Sequence, residues 1–434
     1  MPKKKIEQHS VPIEETIAKG DETALKKTEI DEVSSQEVKE EVLKEEAEVL
    51  EVKEVPKEKV KKEKKAKKQS DSPSAFVRFF KNITVKQWIS FAIIIVVYVL
   101  LAIFTSQNMY ELIRLTLFSA VPLALVAMGG LYSERSGVVN IALEGIMMFG
   151  AFVGILTLER IQSTGVDGQW VIFIALLIGG IAGVIFSLLH AFAAITMKSD
   201  QTISGTALNM LSLALAIFLG RALSHGGTEE IKFANTYRID RIPGLDKIPF
   251  FGQVLFSRVY LITLFGLLLF WLMAVLAYKT KFGLRLRACG ENPQAADAAG
   301  INVIKTRYIA VLISGFLAGT AGVLLIVPTT ISFRASVYGF GFLGLAVLIS
   351  GQWRPKRVLI FALLFGFLRS LASGIDFVIQ DLANLPSVSQ FLKDIPKDII
   401  KMLPYVFTLI VLAITSKKSR APKAVGEPFD QGKR

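Results

Sequence analysis

Glu144 is the side chain in this sequence that is hardest to explain as ordinary packing. It lies in the apolar stretch Asn-Ile-Ala-Leu-Glu-Gly-Ile-Met-Met, which contains no Lys or Arg. A carboxylate within a membrane is costly unless it faces a protein interior or water, so it marks a functional site. On a helix, Asn140 and Ser136 would share its face, because the three residues are spaced four apart. This face predicts either a solute path or a helix–helix hydrogen bond.

A second polar face repeats at helical spacing in a later apolar stretch. Its members are Thr202, Thr206, Asn209 and Ser212. Hydroxyl groups can bond back to their own helix, but an amide in lipid needs a partner or water. Asn209 therefore either lines a path or joins two helices, and the spacing leaves both interpretations open. The residues predicted to line the path are Asn140, Glu144, Thr206 and Asn209.

Composition places these residues in a polytopic membrane protein. Hydrophobic residues make up 52% of the 434-residue chain, and several apolar runs reach the ~20 residues that a bilayer crossing requires. The chain has one cysteine, Cys289, and three histidines without ligand spacing. We therefore expect no internal disulfide and no metal centre. The predicted fold is all-α, with about ten transmembrane helices.

The predicted spans alternate with charged loops in a consistent order. They lie near residues 87–105, 113–131, 138–157, 170–196, 202–220, 257–278, 303–327, 338–352, 357–374 and 398–415. Lys and Arg concentrate after every second span, at 198, 279–287, 354–357 and 417–420. Because basic loops stay in the cytoplasm, both termini are expected there. The net charge of +13 follows in large part from the same bias.

Three regions follow from this pattern. Residues 1–75 are rich in Glu, Lys and Val and contain no aromatic residue. Such a segment cannot bury enough apolar surface to fold alone, so we expect a disordered, charged cytoplasmic tail. Its lysine block either lies on anionic lipid headgroups or belongs to a solvated spacer. Residues 76–416 form the predicted transmembrane domain, and 417–434 a cytoplasmic C-terminal tail.

The basic loop 279–302 contains signals for a short helix. Asn292 followed by Pro293 is a favourable start, and Gly300 is a favourable stop. The residues between them, Gln-Ala-Ala-Asp-Ala-Ala, favour helix. A helix of about two turns with few apolar groups is not stable alone. The pattern therefore predicts that this helix docks onto a cytoplasmic partner.

Glycine spacing predicts how the helices pack. Gly315 and Gly319 are four apart, and Gly179, Gly180 and Gly183 form a similar cluster. Small residues at this spacing let helix backbones approach closely. The glycine-rich stretch 338–346 corresponds in position to 137–145 in the first half. This correspondence favours an inverted repeat that relates the second to fifth spans to the seventh to tenth, with interrupted helices at the repeat interface.

Four motifs in these regions resemble those of a known family. They are Ser133-Glu-Arg-Ser-Gly-Val-Val-Asn-Ile-Ala-Leu-Glu-Gly145, Gln201-Thr-Ile-Ser-Gly-Thr-Ala-Leu-Asn209, the loop from Gly283 to Gly300, and Gly339-Phe-Gly-Phe-Leu-Gly-Leu-Ala-Val347. The chain resembles the permease subunits of ABC importers for branched-chain amino acids, simple sugars and nucleosides. The first motif is similar to that of the purine nucleoside branch. The resemblance covers about residues 110–416.

The resemblance implies a type II ABC importer permease with ten spans in a bacterial plasma membrane. Its expected partners are a homologous second permease, a cytoplasmic ABC ATPase and a lipid-anchored extracellular solute-binding protein. ATP is expected on the ATPase alone, because the chain contains no G-x-x-x-x-G-K-[ST] phosphate loop, and no cofactor is expected on this chain. The residues expected to couple to the ATPase are Arg285, Glu291, Asn292, Ala296 and Gly300.

Other functions stay open at this point. The same architecture serves sugar or amino-acid permeases, which share these motifs. A membrane receptor or scaffold would use the long N-terminal tail instead and would not need the coupling loop. A secondary transporter would rely on Glu144 as a buried proton site. We expect a nucleoside permease, with no enzymatic activity of its own.

Overall fold

The computed structural model describes residues 108–223, 228–234, 236–248, 251–381, 390, 396–415 and 420–432. The predicted first span, 87–105, and the charged segment 1–75 lie outside the described residues. The structural statements that follow apply to the described ranges.

Helices dominate these ranges. They are α1 (Asn108–Ser136), α2 (Leu143–Ser163), α3 (Gln169–Ala191, continued by a π-helical turn Phe192–Thr196), α4 (Gln201–Leu223), α5 (Phe251–Leu255), α6 (Leu261–Lys279), α7 (Lys281–Glu291), α8 (Pro293–Ala298), α9 (Val303–Thr329), α10 (Phe340–Ser350), α11 (Pro355–Asp381) and α12 (Lys397–Thr415). Short strands form two antiparallel pairs, β1 (Ile231–Lys232) with β4 (Ser332–Phe333) and β2 (Arg238–Arg241) with β3 (Ser257–Tyr260).

Six helices in the described part of the chain are long and apolar enough to cross a membrane. They are the apolar stretches of α1, α3 with its π-helical turn, α4, α6, α9 and α11. These stretches confirm a polytopic, mostly helical membrane protein. The predicted span 257–278 begins later than expected, because its first four residues form β3 and α6 begins at Leu261.

Two predicted spans start with a non-helical break and become helical only later, and we call them interrupted helices. Helix α10 has 11 residues, which at 1.5 Å per residue is about half of the ~30 Å needed to cross the hydrocarbon core. The predicted span 138–157 also starts late, because residues 137–142 leave the helix and α2 begins at Leu143. The prediction that Asn140 and Glu144 share one helical face was therefore wrong. Gly137 ends α1 with φ at +99°, a left-handed conformation that favours glycine.

Helices α1 and α9 run antiparallel through the centre of the bundle. Gly137, just after α1, lies against Arg307 near the start of α9, and Gly129 lies against Ser314. Towards the other ends of the two helices, Val121 of α1 and Leu324 of α9 both lie against Gly266 of α6. Both helices are largely buried in the bundle, so they form its central pair.

The remaining helices repeat the same contacts around this pair. Helix α9 packs on α2 and α3, and α1 packs correspondingly on α10 and α11. Helix α2 also packs on α3 and α4, just as α10 packs on α11 and α12. Exchanging α1–α4 for α9–α12 thus preserves the pattern of contacts. With α1 and α9 antiparallel, this pattern agrees with the inverted repeat predicted from the glycine positions.

Glycines let α2, α3 and α9 approach closely. A Cβ added at Gly150 would lie 2.3 Å from the Cα of Gly319, and one added at Gly319 would lie 2.4 Å from the carbonyl oxygen of Gly179. A Cβ at Gly183 would lie 2.3 Å from the carbonyl oxygen of Gly315. These distances confirm the close approach predicted from glycine spacing.

Gly319→Ala is expected to destabilise the chain, because the added methyl group would meet backbone atoms of α3 rather than flexible side chains. Overpacking of this kind costs about 1–3 kcal/mol. The measurement is the temperature at which detergent-solubilised protein aggregates. Gly220→Ala is the matched control, since its nearest foreign atom lies 3.6 Å away and alanine favours helix. Equal transition temperatures for the two variants would contradict the close helix contact.

The two ends of α1 identify the two ends of the bundle. Near its start, Glu111 forms an ion pair with Arg258 of β3 at 2.7 Å. Near its end, Arg135 forms an ion pair with Glu291 of α7 at 3.2 Å. We call the first the strand end and the second the α8 end.

Basic residues gather at the α8 end, as the loop charges predict. Lys198 forms an ion pair with Asp430 in the C-terminal segment that crosses this end. Arg354 and Arg287 line one groove together with Arg135. The loops between alternate spans therefore meet on one side of the bundle.

Candidate functional site at two interrupted helices

The break between α1 and α2, residues 137–142, is held by side chains from distant helices. Its backbone groups lie inside the bundle, where an unpaired N–H or C=O is costly. The Gln201 side-chain oxygen accepts a hydrogen bond from the Val139 N–H at 2.7 Å. The Val139 carbonyl lies 2.9 Å from Nε2 of the buried His190, whose Nδ1 is 3.1 Å from the Ser204 hydroxyl. These contacts keep the break in one conformation.

Asn209 joins α4 to both sides of this break. Its Nδ2 donates to the carbonyl of Ile141 at 3.0 Å, and its Oδ1 accepts from the N–H of Gly145 at 2.7 Å. One turn further along α4, the Ser212 hydroxyl donates to the Gly145 carbonyl at 2.6 Å. The helix-joining interpretation of Asn209 is thus realised in the structure, through backbone groups rather than through another side chain.

Asn140 lies inside the break and is fully buried. Its Nδ2 donates to the Ser314 hydroxyl of α9 at 3.0 Å. Its Oδ1 has no hydrogen-bond donor among the residues that the structure describes. A buried amide oxygen of this kind can accept a hydrogen bond from a solute or a water molecule.

Glu144 connects the two interrupted helices directly. It lies in the first turn of α2, and its carboxylate reaches the start of α10. One oxygen accepts from the N–H of Gly339 at 2.9 Å, and the other accepts from Gly341 at 2.6 Å and from Phe342 at 3.4 Å. The first turn of a helix leaves such N–H groups without partners, so this carboxylate caps α10.

The position of Glu144 explains how a carboxylate can lie in an apolar stretch without a neighbouring Lys or Arg. The N-terminus of a helix carries a partial positive charge. Glu144 lies at the N-termini of α2 and α10 together, and both stabilise its negative charge. The two helices meet closely, because a Cβ added at Gly341 would lie 2.3 Å from the Glu144 Cα.

The chain before α10 has the same character as the break before α2. Tyr338 and Gly339 both have positive φ, at 55° and 77°, and Gly339 caps the helix. The predicted correspondence between 338–346 and 137–145 thus appears in the structure as two breaks. Each break is followed by a helix, and the N-termini of the two helices meet at Glu144. Arrangements of this kind occur at the solute sites of inverted-repeat transporters.

Thr206 lies apart from the other three predicted path residues. It is exposed on the surface of this chain, and its hydroxyl donates within α4 to the carbonyls of Thr202 and Ile203. The polar face predicted on α4 is therefore divided. Its Asn209 and Ser212 half contacts the break, and its Thr202 and Thr206 half faces outwards.

The predicted short helix in the basic loop forms at the α8 end. The Asn292 side chain accepts from the N–H of Ala295 at 3.0 Å, which caps α8. Gly300 ends the helical turn with φ at +80°. The predicted start and stop are therefore confirmed, although α8 itself ends at Ala298. Helix α7, Lys281–Glu291, precedes it and was not predicted.

The predicted coupling residues divide between the outer and inner faces of this loop. Arg285, Glu291 and Asn292 are exposed, and Gly300 lies on the surface after α8. Ala296 differs from the expectation of a contact with another chain. It is 4% exposed and packs in a cluster with Cys289, Val303 and Phe429. The outer face of α8 consists instead of Gln294, Ala295 and Ala298.

Three residues important to this arrangement were missed in the sequence. His190 and Gln201 hold Val139, and the buried Arg307 donates to the Ser136 carbonyl at 3.1 Å. The available signal was a lone polar side chain in or beside an apolar run, the same signal that identified Glu144. Spacing alone does not reveal which break such a residue supports.

Antiparallel α1 and α9, each followed by a helix whose N-terminus reaches a shared polar centre, form an arrangement found in inverted-repeat transporters. The chain belongs to the family described as branched-chain amino acid transport system / permease component, which matches residues 112–412. It is therefore a membrane-embedded permease component.

Several ABC transporter permeases are similar to this chain over most of their length. The chain is 41% identical to the guanosine ABC transporter permease protein NupQ of Bacillus subtilis, over 76% of this chain and 99% of that protein. It is 37% identical to the nucleoside ABC transporter permease protein NupC of Lactococcus lactis, over 73% and 96% of the two chains. A glucose ABC transporter permease protein of Haloferax volcanii is 24% identical, over 64% and 73%.

Proposed function

We propose that this chain is the permease subunit of an ATP-driven importer and forms the translocation path for nucleosides. The observation that carries the proposal is the pair of interrupted helices joined through Glu144, in a chain 41% identical to a guanosine permease. The polar centre between these helices is the part of the bundle that suits a solute crossing the membrane.

The chemistry of this centre suits an uncharged, hydroxylated solute. Asn140 offers a buried amide oxygen without a described donor, and the Glu144 carboxylate, held at the N-terminus of α10, offers further acceptor oxygens. Nucleosides carry ribose hydroxyls and base nitrogens, which can form hydrogen bonds with these oxygens one at a time. The path binds its solute weakly, since tight binding would prevent release. Thr206, on the outer face of α4, lines the path where a second permease subunit packs against this chain.

The α8 end is the side that an ATPase contacts. Basic loops meet there, and this distribution favours the cytoplasmic side for this end and for both termini. Arg285, Glu291 and Asn292 belong to the coupling surface, together with the outer face of α8. ATP binds to the partner ATPase, and a homologous permease completes the membrane unit. A lipid-anchored solute-binding protein delivers the nucleoside to the strand end.

Cells that lack this chain are expected to lose labelled-guanosine uptake, and the wild-type chain restores it. A chain with Ala298→Arg inserts normally but fails to restore uptake, because a long charged side chain on the outer face of α8 disturbs ATPase docking. Ala298→Ser is the matched control and restores uptake. Initial uptake rates at equal expression decide the result. Full uptake with Ala298→Arg would contradict the coupling role of α8.

The competing substrate is a simple sugar, since a glucose permease belongs to the same set of relatives. Competition separates the two. Excess unlabelled adenosine or inosine is expected to abolish guanosine uptake, and excess glucose, ribose or leucine is expected to leave it unchanged. Competition by the sugar with none by the nucleosides would replace the nucleoside assignment with a sugar permease.

A further inference from the structure

The C-terminal segment, residues 421–431, lies across the α8 end of the bundle. We call it the C-terminal strap. Its Ala424 N–H donates to the Gly290 carbonyl of α7 at 2.9 Å, and its Gly426 N–H donates to the Gly137 carbonyl at 3.0 Å. Two residues of the strap thus bond to the helix before α8 and to the first residue of the α1–α2 break.

Arg307 reinforces this connection from inside. It is 1% exposed, its Nε donates to the Ser136 carbonyl at 3.1 Å, and its Nη1 donates to the strap carbonyl of Glu427 at 2.9 Å. Its guanidinium also lies 6.0 Å from the centre of the Phe429 ring. A buried guanidinium needs such partners to offset its lost hydration. One side chain of α9 therefore holds both the end of α1 and the strap.

Phe429 of the strap covers the inner face of α8. It is 6% exposed and packs in one cluster with Ala296, Cys289 and Val303. Helix α8 has six residues, too few to be stable without tertiary packing. The strap thus contributes part of the apolar surface on which α8 rests.

We propose that the C-terminal strap positions α8 and connects it mechanically to the α1–α2 break. Gly290 and Gly137 bond to strap residues only two positions apart, so α7–α8 cannot shift relative to the break without breaking a hydrogen bond. Displacement of α8 moves the break and, with it, Asn140. The identity of the displacing partner, the ATPase, rests on the proposed function. The seating of α8 by Phe429 does not depend on the proposed function.

Cys289 provides a direct test of the seating. It is the single cysteine of the chain and is fully buried beneath Phe429 and α8. In the full-length chain, assembled with its partners, Phe429→Ala is expected to raise the rate of maleimide labelling at least about tenfold, because local opening becomes easier. Lys423→Ala, at an exposed strap position, should label like wild type. Phe429→Leu should label at an intermediate rate, faster than wild type and more slowly than the alanine variant, so it provides the test if the alanine variant does not fold.

The ratio of solute transported to ATP hydrolysed tests the connection to the break. Phe429→Ala is expected to lower this ratio several-fold, while the ATPase still co-purifies. Unchanged labelling of Cys289 would overturn the seating of α8. Faster labelling with an unchanged transport ratio would overturn the mechanical connection. A wild-type complex without ATP-driven uptake would refute the proposed function, and the labelling rates would still decide whether the strap seats α8.

Discussion

Glu144→Leu is expected to abolish solute uptake while the chain still inserts into the membrane. The substitution removes the acceptor for three N–H groups at the start of α10. Each buried donor left without a partner costs about 1–3 kcal/mol. The negative charge that the two helix N-termini stabilise is lost as well. The interrupted helices should separate, and initial uptake rates at equal expression measure the effect.

Glu144→Gln is the matched control for this prediction. Glutamine keeps the side-chain length and one oxygen acceptor but removes the charge. Uptake is expected to fall less than in the leucine variant, because part of the cap on α10 survives. Near-normal uptake in both variants would show that Glu144 is incidental to transport. Equal loss in both would show that the charge, rather than the hydrogen bonds, matters.

Asn209→Leu is expected to destabilise the break between α1 and α2. It removes the partners of the Gly145 N–H and the Ile141 carbonyl at once, at about 1–3 kcal/mol for each. The aggregation temperature of the detergent-solubilised chain should fall clearly, and uptake should fall with it. Asn209→Asp should lie between wild type and leucine, because it keeps the acceptor for Gly145 and loses the donor to Ile141.

Thr206→Val is the matched control on the same helix. Among the described residues, its hydroxyl bonds within α4, and its side chain is exposed, so the aggregation temperature of this variant should equal that of wild type. A stable Asn209→Leu variant that loses uptake would contradict the joining role and favour direct contact with the solute. Reduced uptake in a stable Thr206→Val variant would support the position of Thr206 on the path.

Local features of this chain followed from the sequence because their causes are local. Long apolar runs give membrane helices wherever the backbone must satisfy its own hydrogen bonds. The cap at Asn292 and the stop at Gly300 are set by residues within one turn of α8. The glycines of α3 and α9 predicted close contact, because only small residues permit the observed approach.

The candidate site depends on contacts that no local pattern contains. Asn140 and Glu144 have helical spacing, but Gly137 leaves the helix, and the residues that stabilise the resulting break come from α3, α4 and α9. Val139, for example, bonds to a side chain 62 residues away. A helical pattern predicts which residues share a face only while the helix continues, so the tertiary structure decided their relative positions.

Tertiary structure likewise decided how the charge of Glu144 is compensated and which face of the short helix α8 is buried. The Glu144 carboxylate accepts hydrogen bonds from the start of a helix about 195 residues later in the chain. Ala296 turns inwards because Phe429, in the C-terminal strap, covers that side of α8. Sequence determined which polar groups enter the membrane and which segments form helix. Only the folded bundle determined where each group finds its partner, because those partners are brought together by packing rather than by spacing.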